Sequence, residues 1–144
     1  MSRVEHAVTL FKERDNCSQA VFATYANQYG VDEKIALKIA EVFSGGIARR
    51  GDICGAVTGA LMVIGLHYGE KKGTNSIQSK SAHDVADTLL VRFKDKHGTY
   101  NCRELINFDL TTPENRKLAQ EKKVFRNCSE FVRTTVEILE KILV

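Results

Sequence analysis

Four cysteines are the residues of this 144-residue chain best suited to chemistry, and three of them lie in the same short phrase. The phrase Asn-Cys-x-Gln/Glu surrounds Cys17, Cys102 and Cys128, whereas Cys54 stands in Asp-Ile-Cys-Gly. Cysteine thiolates bind metals and attack disulfides, so metal binding, electron transfer and thiol–disulfide exchange are the chemistry to consider. Steps of 37, 48 and 26 residues separate successive cysteines, and these match no compact C-x-x-C metal motif.

The repeated phrase predicts the start of a helix. An Asn side chain at an N-cap accepts a hydrogen bond from the first turn, and a Glu or Gln three residues later reaches back to the cap's own N–H group. Each such capping box would place its cysteine at the first helical position. Asp52 is a suitable cap for a further helix, which would place Cys54 in a first turn as well. The three expected boxes pair Asn16 with Gln19, Asn101 with Glu104, and Asn127 with Glu130.

Four thiols at helix starts would share surroundings that favour the ionised form. A helix N-terminus stabilises a negative group by ~0.3–1 kcal/mol, and by up to ~2 kcal/mol when the group is partly buried. Two thiolates about 4 Å apart repel by about 4 kcal/mol at an effective dielectric constant of ~20. If the four sulfurs converge, helix dipoles cannot keep all of them ionised. A metal centre, disulfide formation or protonation of some thiols must then relieve the repulsion.

Helices are the elements that would position these cysteines. The chain has one proline, Pro113, which predicts the start of a short polar helix, and it has no alternating apolar run typical of a strand. We therefore predict an all-α, single-domain helical bundle spanning residues 1–144. Four stripes at helical spacing predict these helices: Val21, Tyr25 and Gln28 or Tyr29; Ile35, Ile39, Val42 and Phe43; Val85, Leu89 and Phe93; and Phe131, Thr135, Ile138 and Ile142.

The segment DICGAVTGALMVIGL, residues 52–66, is apolar on every side, which predicts a central helix enclosed by the others. Gly55 and Gly59 share one face of this helix, although a glycine costs ~1 kcal/mol in a helix interior. The pair therefore indicates close approach, either of another helix backbone or of a cofactor beside Cys54. In the preceding loop, Arg49 could contact that cofactor. Arg49 and Arg50 could also favour the Cys54 thiolate or steer an anionic partner, or they could be solvated loop charges.

Composition limits the other classes of function. The chain is 43% apolar and 27% charged, and its net charge of +3 does not favour nucleic-acid binding. The first 15 residues lack the apolar core of a signal peptide, and the longest apolar run, 53–66, is shorter than the ~20 residues that span a bilayer. We expect a cytoplasmic protein without a membrane span, where cysteines tend to be metal-binding or catalytic. The polar segment 69–81 predicts a surface loop.

Nearly the whole chain resembles a family of redox-active proteins named for the cysteine pattern C…GCAxxG…C…C. The resemblance runs from CSQAVF through FSGGIARRGDICGAVTGALMVIGL to NCRELI and NCSEFV. Cys17, Cys54, Cys102 and Cys128 fall on the four cysteines of the pattern. The central motif reads CGAVTG in this chain, with the cysteine before the glycine. The resemblance implies a small redox protein in which an iron–sulfur cluster could be bound.

Three hypotheses follow from the residues and the resemblance. In the first, the four cysteines form one site that binds an iron–sulfur cluster or other metal centre for electron transfer, and Gly55, Gly59 and Arg49 contact the cofactor. In the second, the same cysteines are redox thiols without metal, and Cys54 attacks or pairs with another cysteine in thiol–disulfide exchange. In the third, a non-redox helical module binds a ligand or partner. The redox hypotheses imply a redox partner protein or a small-molecule oxidant or reductant, and a homodimer stays open.

Overall fold

Helices make up most of the chain, as predicted. The computed structural model describes residues 1–69 and 81–143, which contain eight α-helices and no strand. The surface loop predicted at 69–81 lies almost entirely outside the described residues. Two 3₁₀ turns, Asn27–Tyr29 and Glu41–Phe43, follow the second and third helices. The helices are α1 (Arg3–Arg14), α2 (Cys17–Ala26), α3 (Glu33–Ala40), α4 (Gly55–Tyr68), α5 (Ala82–His97), α6 (Cys102–Ile106), α7 (Pro113–Glu121) and α8 (Cys128–Ile142).

One apolar core joins six of these helices. α2 packs chiefly against α4, α1 packs against α2 and α8, α3 packs against α2, and α5 packs against α4 and α8. Burying a large apolar side chain contributes ~1.5–3 kcal/mol, so the apolar faces of these helices hold the bundle together. The stripes predicted for α5 and α8 are buried, and so are Val21 and Tyr25 of α2, whereas Gln28 is exposed and Tyr29 half-buried in the 3₁₀ turn that follows α2. The buried stripe residues are Val21, Tyr25, Val85, Leu89, Phe93, Phe131, Thr135, Ile138 and Ile142.

The stripe predicted for α3 is wrong. Ile35, Ile39 and Val42 are 53%, 47% and 62% exposed, whereas Ala36 and Ala40 are completely buried. Asp32 caps the helix, and its side chain accepts from the N–H groups of Lys34 and Ile35. Helical spacing therefore located α3 correctly but gave the wrong buried side, because the small alanines form the face that packs against the bundle.

Burial of α4 is uneven along its length. Every residue from Gly55 to Ala60 is buried, whereas Leu61 and Met62 are half-buried and Gly65 is exposed. Enclosure by neighbouring helices thus applies to its N-terminal part, and a central position for the whole helix stays a prediction. Within the described residues, no helix combines the length and the apolar character needed to cross a bilayer.

Candidate functional site

Each cysteine lies at the start of a helix. Cys17, Cys102 and Cys128 are the first residues of α2, α6 and α8, as predicted. Cys54 lies one position before α4 and is itself the N-cap of that helix, with φ −51° and ψ 136°. The prediction that Asp52 caps α4 is therefore wrong, because the chain is still extended at Cys54.

The Asn residue before three of the cysteines plays a different part in each place. Asn16 caps α2, with its Oδ1 accepting from the N–H of Gln19 at 2.9 Å. Asn101 makes no cap bond, and its Nδ2 donates to Oε1 of Glu104 at 2.8 Å instead. Asn127 makes no cap bond either, since its backbone is already helical, with φ −96° and ψ 0°. The prediction of three reciprocal capping boxes is wrong, although the helices start where the phrase predicted.

Close packing of α2 on α4 brings Cys17 beside Cys54. A Cβ atom on Gly59 would lie 2.9 Å from the backbone oxygen of Ser18, and one on Gly55 would lie 3.2 Å from the Ser18 nitrogen and 3.4 Å from the Cys17 Cβ. Real Cβ atoms essentially never approach a neighbour closer than 3.0 Å, so Gly59 in particular lets the two helices meet. The α2 backbone, rather than a cofactor, fills the space beside these two glycines.

A single antiparallel contact brings the segments of Cys54 and Cys102 together. Ile53 and Asn101 form an isolated β-bridge, and the N–H of Cys102 donates to the backbone oxygen of Asp52 at 2.7 Å. The bridge joins the chain across 48 residues and is one residue pair long, so no periodic pattern in the sequence could signal it. It fixes the start of α6 against the start of α4.

The loop between α3 and α4 is strained and packs against the same site. Five consecutive residues lie in the left-handed region, with φ between +50° and +72°: Gly45, Gly46, Ile47, Ala48 and Arg49. A left-handed conformation costs ~1–2 kcal/mol for each residue other than glycine, and strain of this kind clusters at functional sites. A Cβ on Gly46 would lie 2.7 Å from the Cβ of Cys102 and 2.6 Å from the backbone nitrogen of Asp52. Glycine at this position therefore allows the loop to contact Cys102.

The pKa values of the Cys17 and Cys54 thiols are shifted in opposite directions. Interaction of the Cys17 thiol with Cys128 and with Cys54, followed by burial, raises the pKa of Cys17. Interaction with the Cys17 thiol, together with the backbone N–H groups of Ala56 and Val57, lowers the pKa of Cys54 despite burial. The Cys54 side chain accepts no cap hydrogen bond from these N–H groups. They lower its pKa mainly through the partial positive charge at the N-terminus of α4. Cys17 is thus the member of the pair that keeps its proton, and Cys54 is the member that favours negative charge.

Cys102 remains protonated at neutral pH. Burial, followed by the charges of Cys54 and Cys128, raises the pKa of Cys102 to about 12. Cys54, Cys102 and Cys128 are buried, Cys17 is half-buried, and all four are free thiols. The four cysteines therefore act on one another electrostatically, while Cys17 is the most exposed of them.

A cavity of about 460 Å³ adjoins three of the thiols and is called the thiol cavity below. Cys17, Cys102 and Cys128 line it, whereas Cys54 does not. A small molecule in the cavity would meet Cys17 as the most accessible sulfur. The remaining lining residues are Phe11, Leu110 and Phe125; Asp15, Ser44, Gly45 and Gln120; and Arg49, Arg116 and Lys117.

Several lining residues were not predicted from the sequence. The start of α7 at Pro113 was expected, and Thr112 caps it. Arg116 and Lys117 on this helix were not expected near the cysteines, because a helix that is polar on most sides does not indicate which side faces the protein. Arg49, which was predicted to contact a cofactor, lines the thiol cavity.

The types of side chain at this site suit metal binding, whereas their positions do not. Four cysteines are the usual ligands of an iron–sulfur cluster, so the chemistry of the donors fits. In residues 1–69 and 81–143, however, no three Cys, His, Asp or Glu side chains are placed to hold a metal ion together. In this arrangement the side chains do not form a ready metal site.

The cysteine pattern also identifies the chain's relatives. Residues 15–142, which include all four cysteines, match the model of the family described as "Putative redox-active protein (C_GCAxxG_C_C)". The chain belongs to this family. A protein of Archaeoglobus fulgidus named "Uncharacterized protein" is 28% identical over 140 residues, which cover 92% of this C_GCAxxG_C_C chain and 87% of that protein. No solved structure matches the chain.

Proposed function

We propose that this redox-active protein carries out two-electron thiol–disulfide exchange and that Cys17 and Cys54 are its redox pair. The observation that supports the proposal is the close packing of α2 on α4, which places Cys17 beside the start of α4, where Cys17 and Cys54 shift each other's pKa. This packing puts a thiol that lines the thiol cavity next to a buried sulfur at the start of α4. A pair of this kind can accept and release two electrons by forming and breaking one S–S bond.

Cys17 is the thiol that would attack the substrate. The pKa shifts favour the proton on Cys17 and the charge on Cys54, so attack requires the uphill transfer of this proton to the ionised Cys54 sulfur, which leaves a Cys17 thiolate at the cavity. This thiolate attacks one sulfur of a disulfide substrate, and the substrate S–S bond breaks as the Cys17–substrate bond forms. The leaving sulfur takes up a proton and departs as a thiol. The sequence-based hypothesis had Cys54 either attack or pair with another cysteine. Cys54 is 4% exposed and lies outside the cavity lining, which favours the pairing role.

Cys54 would then resolve the mixed disulfide. It loses its proton, and its sulfur attacks Cys17, which releases the second half of the substrate as a thiol. The substrate disulfide has gained two electrons, which the protein has lost in forming the Cys17–Cys54 disulfide. Of the two protons that the released thiols carry, one comes from the Cys17–Cys54 pair and the other from solvent. Partial positive charge at the start of α4 favours the Cys54 thiolate that this step requires.

Turnover would require a reductant for the oxidised pair. A dithiol partner protein or a small thiol could supply the two electrons by the same steps in reverse. Such a cycle suits a reducing compartment, which is why we propose the cytoplasm as the location.

The stoichiometry of thiol release tests this mechanism. Reduced protein is mixed with a small aromatic disulfide, and the coloured thiol it releases is counted. Wild-type protein should release two thiols per chain. Cys54→Ser should release one and retain the other on Cys17, whereas Cys17→Ser should release thiol much more slowly. Cys102→Ser is the matched control and should still release two. Two thiols from Cys54→Ser at the wild-type rate would contradict the pairing and would indicate Cys128, which lines the thiol cavity with Cys17 and also raises its pKa, as the resolving residue.

An iron–sulfur cluster for electron transfer is the second candidate function. This candidate is favoured because the cysteines lie close enough to shift one another's pKa. The ligands would be Cys17, Cys54, Cys102 and Cys128. Their side chains would have to move from the present arrangement to bind metal. Protein purified without oxygen should then contain iron and sulfide in equal amounts, and each Cys→Ser variant should lose both. Colourless protein without iron would leave thiol–disulfide exchange as the redox chemistry.

A further inference from the structure

We propose that the thiol cavity takes a low-molecular-weight disulfide that carries anionic groups, carboxylates or phosphates, held by Arg49 and Arg116. This inference rests on the proposed thiol–disulfide exchange and names the class of its substrate. It is drawn from the charged and apolar walls of the cavity rather than from the cysteines themselves.

The charge of the cavity wall differs from that of the chain as a whole. Three cationic side chains, Arg49, Arg116 and Lys117, line the thiol cavity, against one carboxylate, Asp15. Across the whole chain, 21 Lys and Arg residues are nearly balanced by 18 Asp and Glu residues. Positive charge is thus concentrated beside the thiols, where it would raise the local concentration of an anionic substrate.

A second cavity of about 450 Å³ extends the positive surface, and it shares Arg49 and Arg116 with the first. Arg50 and Arg103 also line it, and Asp52 is its one carboxylate. The two cavities therefore meet at the shared arginines. A ligand could place its reactive sulfurs beside Cys17 and its anionic groups between the two cavities. Guanidinium groups bind carboxylate and phosphate oxygens in pairs, which suits them to this task.

Most of these cations are available to a ligand. Over the described part of the chain, the side chains of Arg49, Arg50 and Lys117 make no hydrogen bond or ion pair, and all three are exposed. Arg116 is held in place because its Nη1 donates to the backbone oxygen of Leu110 at 3.0 Å, and its other N–H groups remain for a ligand. Arg103 binds Asp109 at 3.0 Å and is therefore the least available.

The apolar part of the wall suits the chain that connects an anionic group to a disulfide. Phe11, Leu110 and Phe125 line the thiol cavity together with the cysteines. Methylene groups of a ligand would contact these side chains. The size of the cavity, about 460 Å³, is within the range of sites for small organic molecules, ~300–1,000 Å³.

Three small symmetric disulfides of different charge test the proposal. They are 3,3′-dithiodipropionate, which carries two carboxylates; bis(2-hydroxyethyl) disulfide, which is neutral; and cystamine, which carries two ammonium groups. The rate at which each oxidises the reduced protein is divided by its rate with dithiothreitol, because leaving thiols differ in intrinsic reactivity. A disulfide with phosphate groups in place of carboxylates forms a fourth arm and shows which anion the site prefers. We expect the anionic disulfides to be fastest and cystamine slowest, with the preference decreasing as salt is added.

Two variants of equal charge separate a local from a general electrostatic effect. Arg49→Gln combined with Arg116→Gln should lower the normalised rate for dithiodipropionate roughly tenfold or more and leave the rate for the neutral disulfide unchanged. Arg92→Gln combined with Lys96→Gln removes the same charge from a different groove and should preserve the preference. Circular dichroism checks that both variants remain helical.

A binding measurement distinguishes failure of this inference from failure of the exchange chemistry. Dithiodipropionate is titrated by calorimetry into Cys17→Ser, which cannot attack it, and into the same variant with Arg49→Gln and Arg116→Gln. Saturable binding that requires the arginines supports the anionic site even if no variant exchanges disulfides. Equal normalised rates for the three disulfides and absence of binding would overturn the inference, while continued exchange with the neutral disulfide would leave the proposed function standing.

Discussion

Two single variants of α4, Gly59→Ala and Gly65→Ala, test the packing that brings Cys17 to Cys54. Gly59 and Gly65 both lie inside the helix, so alanine should improve helix propensity equally at each, by ~0.5–1 kcal/mol. A Cβ at Gly65 would have nothing within 4 Å. Gly65→Ala should therefore increase the free energy of unfolding by about that amount, and it serves as the matched control.

Gly59→Ala should have the opposite effect. Its Cβ would lie 2.9 Å from the backbone oxygen of Ser18 and 3.2 Å from the Cβ of Val21. A backbone atom cannot turn aside as a flexible side chain can, so α2 must move away from α4. Overpacking of this kind costs ~1–3 kcal/mol, and the gain in helix propensity offsets part of that cost. We expect Gly59→Ala to be ~1–3 kcal/mol less stable than Gly65→Ala.

Urea unfolding followed by circular dichroism measures this difference, with comparison of the slopes to confirm that both variants unfold alike. Thiol release supplies a second readout, because movement of α2 also separates Cys17 from Cys54. Gly59→Ala should slow release of the second thiol, whereas Gly65→Ala should match the wild type. If Gly59→Ala stabilises the protein as much as Gly65→Ala does, the described contact between α2 and α4 is wrong.

Three further predictions concern the surroundings of the site. Asn16→Ala should lower the free energy of unfolding in urea by ~0.5–2 kcal/mol because it removes a cap bond. Asn127→Ala removes no cap bond and should change it by only a few tenths of a kcal/mol. Equal losses would contradict the assignment of caps. Gly46→Ala and Gly98→Ala both place alanine at positive φ, but Gly98 has open space around it, so Gly46→Ala should cost ~1–3 kcal/mol more, and equal melting temperatures would contradict the contact with Cys102. Burial, followed by a neighbouring lysine, lowers the pKa of His97. The contribution of His97 to the free energy of unfolding should therefore be fully present above pH ~6.5 and decrease as the pH falls below that value. His97→Gln should remove this dependence, and an unchanged pH profile would count against burial of the neutral ring.

Local signals in the sequence predicted the helices and the position of the cysteines within them. The phrase Asn-Cys-x-Gln/Glu predicted that Cys17, Cys102 and Cys128 begin helices. It could do so because the start of a helix depends on residues only three or four positions apart in the sequence. The phrase did not reveal which hydrogen bonds form. Asn127 shows why: the turns before α8 already place its backbone in a helical conformation, so its side chain has no cap to make.

Features that depend on distant contacts could not be predicted. The alanine face of α3 is buried because small residues allow close packing, whereas spacing alone favoured the larger Ile35 and Ile39. The bridge of Ile53 with Asn101 is one pair long and leaves no pattern in the sequence. Left-handed residues such as Ile47 are equally hidden, since nothing about isoleucine favours positive φ and the surrounding contacts must impose it.

Disulfide mapping tests most directly whether Cys17 and Cys54 are the redox pair. The protein is equilibrated in glutathione buffers of graded potential, its remaining thiols are alkylated, and its peptides are analysed by mass spectrometry. As the buffer becomes oxidising, the peptides of Cys17 and Cys54 should appear linked together while Cys102 is alkylated as a thiol. Linkage of Cys17 to a different cysteine, or Cys54 recovered as a thiol at every potential, would contradict the assignment.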